Sequence, residues 1–256
     1  LAGVSFRVGL DFVEAIPAAA EILTADQIRL WAEIGRKLAM GNSESGSAFF
    51  ASGADAFRPL TEPARTLLLQ IALRQLVLSS SAAINTLNSG AAIAAEIGDD
   101  FLVEEVLRIA SAIAERSAKH SSDFLSKSPA AIAALKTFGK ETNAVAGAAF
   151  ALAMDFANRT GGMTADMWSD LPKAISGLDA GSAINLLRAA QVFLKYGGSV
   201  TLHFLTTGGD VMRADPDAFS QWCNLLEKIA PQGNATVIAF LRSAPAFFRN
   251  FARRDD

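Results

Sequence analysis

The chain has 256 residues, 51% of them hydrophobic, and its 23 basic and 26 acidic residues give a formal net charge of −3. Because these charges are interspersed, no overall field favours nucleic acid or an anionic membrane surface, and the longest apolar run, residues 144–154, is far shorter than the ~20 residues of a membrane span. The single cysteine, Cys223, excludes a disulfide framework and a cysteine-based metal site, so we expect a reducing compartment, the cytoplasm.

An apolar residue, here called the anchor, recurs along the chain at a nearly constant spacing. Successive anchors are 37, 37, 38, 43, 37 and 36 residues apart, and they are Val13, Phe50, Leu87, Leu125, Trp168, Leu205 and Leu241. A period of this length is typical of helical repeat arrays. The sequence therefore predicts about seven repeats of ~37 residues, and the first repeat is incomplete because only its second half is present.

Capping residues predict where the long helix of a repeat begins. Residues of N-cap type lie about eleven positions after five of the anchors: Thr24, Thr61, Asp99, Asp179 and Asp215. Thr24 and Gln27 have the spacing of a capping box, and Pro216 suits the first turn of a helix. Each cap precedes an apolar i, i+3, i+4, i+7 stripe, which predicts an amphipathic helix.

A break is predicted four residues after each anchor, inside the second half of the repeat. These positions hold Pro17, Ala54, Ala91, Pro129, Pro172, Gly209 and Pro245. Since proline fits the first turn of a helix, we expect a short third helix to start at each break. The predicted fold is all-α, a single elongated α-solenoid domain over residues 1–256.

The segment FLSKSPAAIAAL (124–135), with LRIASAIAERSAKHSSD (107–123) before it, resembles HEAT- and armadillo-like repeats. It is similar to the helical region ahead of the von Willebrand A-type domain in bacterial accessory proteins that activate nitric oxide reductase or Rubisco. The resemblance implies protein contacts with an AAA+ ATPase of the MoxR type. The A-domain signature D-x-S-x-S is missing from this sequence, so metal-dependent adhesion is not implied.

Two features are candidate partner-binding surfaces. The first, the polar row, lies seventeen residues before five anchors and consists of Glu33, Gln70, Arg108, Arg188 and Asn224. It is either an ordinary solvated helix face or a binding surface of the kind that repeat arrays present.

The second candidate surface is the turn of residues 158–164, where the fourth repeat is longer and where Arg159 and an exposed Met163 are expected. This turn is either a tolerated insertion or a binding loop.

Residues that could carry chemistry do not converge in the sequence. His120 and Asp123 have helical spacing, but neither they nor His203 has a third ligand at a recognisable distance, so solvated or half-buried side chains are expected. The pairs Gly161-Gly162, Gly197-Gly198 and Gly208-Gly209 follow no strand and no Walker lysine comes after them, so we interpret them as turns and helix stops. The sequence predicts no catalytic residue, no cofactor and no metal site, and hence no enzyme.

Three functions remain open at this point. The favoured one is a scaffold that binds protein partners, as the resemblance implies. The alternative is a nucleic-acid-binding protein resembling the HEAT-like alkylpurine DNA glycosylases, although the near-neutral composition argues against the basic face that such binding needs. The third is a self-assembling module, because apolar residues are frequent near both ends of the chain.

Overall fold

The computed structural model describes the backbone of residues 6–252 and the side chains of residues 6–243. Within that range the chain forms thirteen α-helices joined by short turns, five of which are 3-10 turns, and it forms no strand. The all-α prediction is confirmed for the described part of the chain. None of the helices in that part is both long enough and apolar enough to span a bilayer.

The chain divides into two compact units, residues 1–126 and residues 127–256. The first unit contains α1 (Phe6–Ala20), α2 (Ala25–Gly41), α3 (Ser43–Ala51), α4 (Glu62–Leu76), α5 (Ser80–Ile97), α6 (Asp100–Ala114) and the first half of α7 (Ala118–Lys136). The second contains the rest of α7, then α8 (Thr142–Arg159), α9 (Thr164–Ile175), α10 (Ala180–Phe193), α11 (Gly198–Ala214), α12 (Pro216–Ile229) and α13 (Asn234–Ala252). The single elongated domain stays a prediction.

Helix packing within each unit follows a simple neighbour pattern. In the first unit α2, α4 and α6 lie side by side, α3 packs on α2, and α5 packs on α4. In the second unit α8 packs on α10, while α11 packs on α9, α10 and α13. Among consecutive helices, α2 with α3, α4 with α5, and α10 with α11 pack extensively, as expected for helix hairpins closed by short loops.

The five predicted caps begin helices in the structure. The side chains of Thr24, Thr61, Asp99, Asp179 and Asp215 each accept a hydrogen bond from the backbone N–H three residues later. The capping box of Thr24 and Gln27 is complete, with the Gln27 carboxamide oxygen accepting the Thr24 backbone N–H at 3.0 Å. These caps satisfy N–H groups that have no partner within the helix, which is why the starts of the long helices were predictable.

The predicted short third helix is wrong for most repeats. Pro17, Pro129 and Pro172 lie inside α1, α7 and α9, and Ala91 lies inside α5. Of these positions only Ala54 is followed by a separate short helix, residues 55–57, which comes after Gly53, whose φ of +68° is incompatible with a continuing helix. At Pro129 and Pro172 the helix continues because residues on both sides are buried, and burial outweighs the ~3 kcal/mol cost of an interior proline. The prediction at Pro245 lies outside the residues whose side chains are described.

Six of the seven anchors are buried: Phe50, Leu87, Leu125, Trp168, Leu205 and Leu241. Val13 is the exception, since its side chain is 60% exposed. The anchor of a repeat packs on the first helix of the same repeat, as Phe50 of α3 does on Trp31 of α2 at a ring separation of 4.9 Å. No described helix occupies that position beside α1, so Val13 stays exposed.

Glycines allow the closest contacts between helices, and this corrects the interpretation of Gly208-Gly209 as a turn. Both residues lie inside α11 and are buried. A Cβ atom at position 209 would lie 2.3 Å from the carbonyl oxygen of Ala174 in α9, and one at position 208 would lie 2.7 Å from Leu186 in α10. The pair is therefore a contact surface of α11.

Candidate functional site

The structure brings three residues of the polar row onto neighbouring helices of the first unit. Glu33, Gln70 and Arg108 lie on α2, α4 and α6, which pack side by side, and each is half-buried or exposed. Glu33 is held by two hydrogen bonds from Arg36, at 2.6 and 2.7 Å, which lower the pKa of the Glu33 carboxyl. Arg108 pairs with Glu105 one turn earlier at 3.1 Å.

A groove lies between α4 and α6 on this surface. It has a volume of about 410 Å³ and is lined by Glu62, Pro63, Thr66, Leu67 and Arg108. Arg108 is the only one of these residues that belongs to the polar row. The other four were not predicted as site residues, and the only signal in the sequence was that they occupy the turns of α4 that precede Gln70 on the same helix.

Hydrogen bonds between helices hold the walls of the groove. The carboxamide nitrogen of Gln27, which is buried in α2, donates to the Glu62 carbonyl at 2.8 Å and to Thr66 Oγ1 at 2.9 Å. On the other side Thr61 Oγ1 donates to Glu104 Oε1 of α6 at 2.8 Å. The start of α4 is therefore hydrogen-bonded both to α2 and to α6, next to the groove.

Arg74 ties the opposite end of α4 to α6. Its guanidinium donates to the Ser111 carbonyl at 3.1 Å and forms an ion pair with Glu115 at 3.1 Å. A planar guanidinium can make several such bonds at once. Because both ends of α4 are bonded to α6, the groove is a preformed surface feature.

The remaining residues of the polar row lie in the second unit. Arg188 on α10 and Asn224 on α12 are exposed. The structure therefore places three members of the row on one face of the first unit and two members on two helices of the second.

The turn after α8 differs from the predicted loop. Residues 161–163 form a 3-10 turn in which Gly161 is buried, and Thr164 at the start of α9 is also buried. Arg159 is exposed at the end of α8, but Met163 is half-buried, and its sulfur would lie 2.7 Å from a Cβ atom at Gly198. The expectation of an exposed Met163 is wrong, because the sulfur fills the space left by that glycine. Of the two residues predicted for this turn, Arg159 is the exposed one.

A cluster of charged residues in the second unit was missed by the sequence interpretation. This charged cluster consists of Lys127, Asp166, Asp170, Lys173, His203 and Arg242. Lys127 pairs with Asp166 at 3.6 Å, and His203 Nε2 lies 3.5 Å from the Arg242 guanidinium. Four of the six residues lie two positions before or after an anchor, which places them on the same face of their helices. This spacing from the anchors was the feature of the sequence that could have revealed the charged cluster.

Burial raises the pKa of the Asp170 carboxyl above its usual value of 3.8, and the nearby carboxylate of Asp166 raises it further. The cations Lys173, Lys127 and His203 oppose this effect without cancelling it. The folded protein therefore binds the Asp170 proton more tightly than the unfolded chain does. By linkage, this group lowers stability as the pH rises from about 3.8 through the raised pKa.

We expect Asp170→Asn to raise the melting temperature at pH 7 by about 1–2 °C, since a partly exposed charge alters stability by less than about 0.5 kcal/mol. The gain should shrink at pH 3.5, because the wild-type carboxyl is then largely protonated in both states. Thermal unfolding at pH 7 and pH 3.5 measures both effects. A variant that is less stable than wild type at pH 7 would show that the cations dominate.

The single cysteine, Cys223, does not carry an activated thiol. Burial, and to a lesser degree Glu227, raises the pKa of the Cys223 thiol to about 12, so the thiolate is scarce at neutral pH. Among the described residues, no three His, Cys, Asp or Glu side chains are grouped so that they could hold a metal ion.

Comparison of the chain with protein-family models, curated protein sequences and solved structures gave no match.

Proposed function

We propose that this protein is a non-enzymatic scaffold that binds a protein partner on the surface formed by α2, α4 and α6. The observation that carries the proposal is the groove between α4 and α6, which Arg108 lines and which lies on the packed helices that also carry Glu33 and Gln70. Parallel rows of helices that present a continuous surface are the usual binding face of helical repeat proteins.

The finer description of the fold belongs to the same proposal. We propose an α-solenoid of about seven HEAT-like repeats of ~37 residues, located in the cytoplasm. Two features support the repeat: N-caps stand at matching positions in five copies, and six anchors at matching positions are buried.

The chemistry of the groove indicates what a partner would present. Pro63 and Leu67 offer apolar surface, Arg108 offers a cation that is 58% exposed, and Glu62 offers an anion at the opposite rim. A partner segment with an apolar side chain for Pro63 and Leu67 and a carboxylate for Arg108 would match this arrangement. From the sequence resemblance, we propose an AAA+ ATPase of the MoxR type as that partner.

The test is direct binding of the purified protein to a purified MoxR-type ATPase, measured by calorimetry or biolayer interferometry. We expect Arg108→Glu to weaken binding at least about tenfold, because it places like charges against each other in the interface. Lys119→Glu is the matched control, since Lys119 is an exposed cation on α7 away from the groove, and it should leave the dissociation constant within about twofold.

Two outcomes would contradict the proposal. Equal effects of Arg108→Glu and Lys119→Glu would show that the groove is not the contact surface. Absence of any complex between the wild-type protein and the ATPase, together with salt-dependent binding of duplex DNA, would favour the nucleic-acid alternative instead.

A further inference from the structure

One face of α1 carries large apolar side chains that the described residues leave uncovered. The apolar α1 face consists of Phe6, Leu10 and Val13, which are 86%, 47% and 60% exposed. These residues are four and three positions apart, so they form one stripe along the helix. The opposite side of α1 contains the buried residues Val8 and Ala19, so α1 is apolar on two sides.

One other second helix of a predicted repeat, α11, shows that this face can be covered. In α11 the positions that match Phe6, Leu10 and Val13 are Gly198, Leu202 and Leu205, of which Gly198 and Leu205 are buried and Leu202 is half-buried. Gly208, one turn after Leu205, lies against Leu186 of α10, the helix that precedes α11. Most of the matching face of α11 is therefore buried against other helices.

Charged residues beside the stripe indicate which helix can cover it. Arg7 and Glu14 are seven residues apart, about two turns, so they lie on the same edge of α1 with Leu10 between them. When two copies of α1 pack antiparallel about a two-fold axis near Leu10, this edge of one copy meets the same edge of the other. Arg7 then faces Glu14 of the second copy, and the reciprocal pair forms on the other side of the axis.

The stripe matches itself in the same arrangement. Leu10 meets Leu10 at the axis, and Phe6 of each copy lies opposite Val13 of the other. An antiparallel copy of α1 also has the orientation that the first helix of a repeat has relative to the second. We propose that the protein forms a symmetric homodimer through the apolar α1 face, which goes beyond the proposed binding of a partner on α2, α4 and α6.

The dimer is expected to be weak. A 15-residue helix is about 22 Å long, and a pair of such helices buries less than the 1,200–2,000 Å² of a standard stable interface. Dimerisation should therefore depend on concentration, with charge pairs at the rim that weaken as salt is added.

Sedimentation velocity over a range of protein concentrations tests the proposal. The average mass should rise from that of the 26.9 kDa monomer toward twice that mass. Leu10→Glu should keep the protein monomeric with an unchanged melting temperature at low concentration, because Leu10 is exposed in the monomer. Phe101→Glu, at an equally exposed apolar residue of α6, is the control and should dimerise like wild type.

Charge exchange tests the antiparallel geometry. Arg7→Glu and Glu14→Arg should each weaken the dimer, because each places like charges opposite one another, and the double variant should restore it. A protein that is monomeric at all concentrations would overturn the proposal, and so would a dimer that Leu10→Glu leaves intact. A double variant that is as weak as the single variants would overturn the antiparallel pairing.

Discussion

Replacing Gly209 with alanine is expected to destabilise the second unit by about 1–3 kcal/mol, the usual cost of overpacking a core. The added Cβ atom would lie 2.3 Å from the carbonyl oxygen of Ala174 and 3.1–3.2 Å from two further backbone atoms of that residue. Because the obstacle is backbone, α9 and α11 must move apart as whole helices. Such a loss corresponds to a drop of several degrees in melting temperature.

Gly147→Ala is the matched control for this prediction. Gly147 lies within α8 of the same unit, and a Cβ atom there would meet nothing within 4 Å. The substitution should stabilise the protein by about 0.5–1 kcal/mol, since alanine has the higher helix propensity. Thermal or chemical unfolding of both variants measures the difference, and equal behaviour of the two would show that α9 and α11 do not touch at Gly209.

Leu125→Ala is expected to cost about 2–5 kcal/mol, the range for truncating a buried leucine. Leu125 is the anchor of α7 and only 2% exposed, and its neighbour Phe124 is fully buried. Truncation removes apolar contacts and leaves a cavity that the surrounding helices refill only in part. The free energy of unfolding from a denaturant titration is the measurement.

Val192→Ala is the control, because it removes apolar volume from an exposed side chain and not from a buried one. Val192 is 52% exposed on α10, so its truncation should change stability by no more than about 0.5 kcal/mol. An unchanged melting temperature for Leu125→Ala would mean that the anchor register is wrong.

Helix starts were predictable from the sequence because capping is local. Thr24, Thr61 and Asp215 each bond to an N–H three residues away, so short segments hold all the information. The buried anchors were predictable for a related reason, since an apolar residue at a fixed interval within an amphipathic stripe has few alternatives to burial.

The breaks were mispredicted because they depend on contacts between distant residues. Pro172 is compatible with either a helix start or a helix interior, and the burial of Leu171 and Ala174 on both sides decides in favour of the interior. Gly209 resembles a helix stop in sequence, yet it is required by the backbone of α9, 35 residues earlier.

The candidate site was predictable only in part. The spacing of Glu33, Gln70 and Arg108 predicted that they lie on one face, because residues at nearly equal intervals lie at the same level on neighbouring packed helices. The groove itself was not predictable, since it depends on how far α4 and α6 stand apart, and that distance follows from contacts such as Thr61 with Glu104. The exposure of Val13 was missed for a similar reason, because it depends on which helix lies next to α1.

Hydrogen exchange of the protein with and without its partner tests the central proposal most directly. We expect a bound MoxR-type ATPase to slow amide exchange in α2, α4 and α6, with the strongest protection at residues 62–74 and 104–110 around the groove. The protection should be lost in Arg108→Glu at the same concentrations. Protection confined to the second unit, or a complex that leaves the exchange of α4 and α6 unchanged, would contradict it.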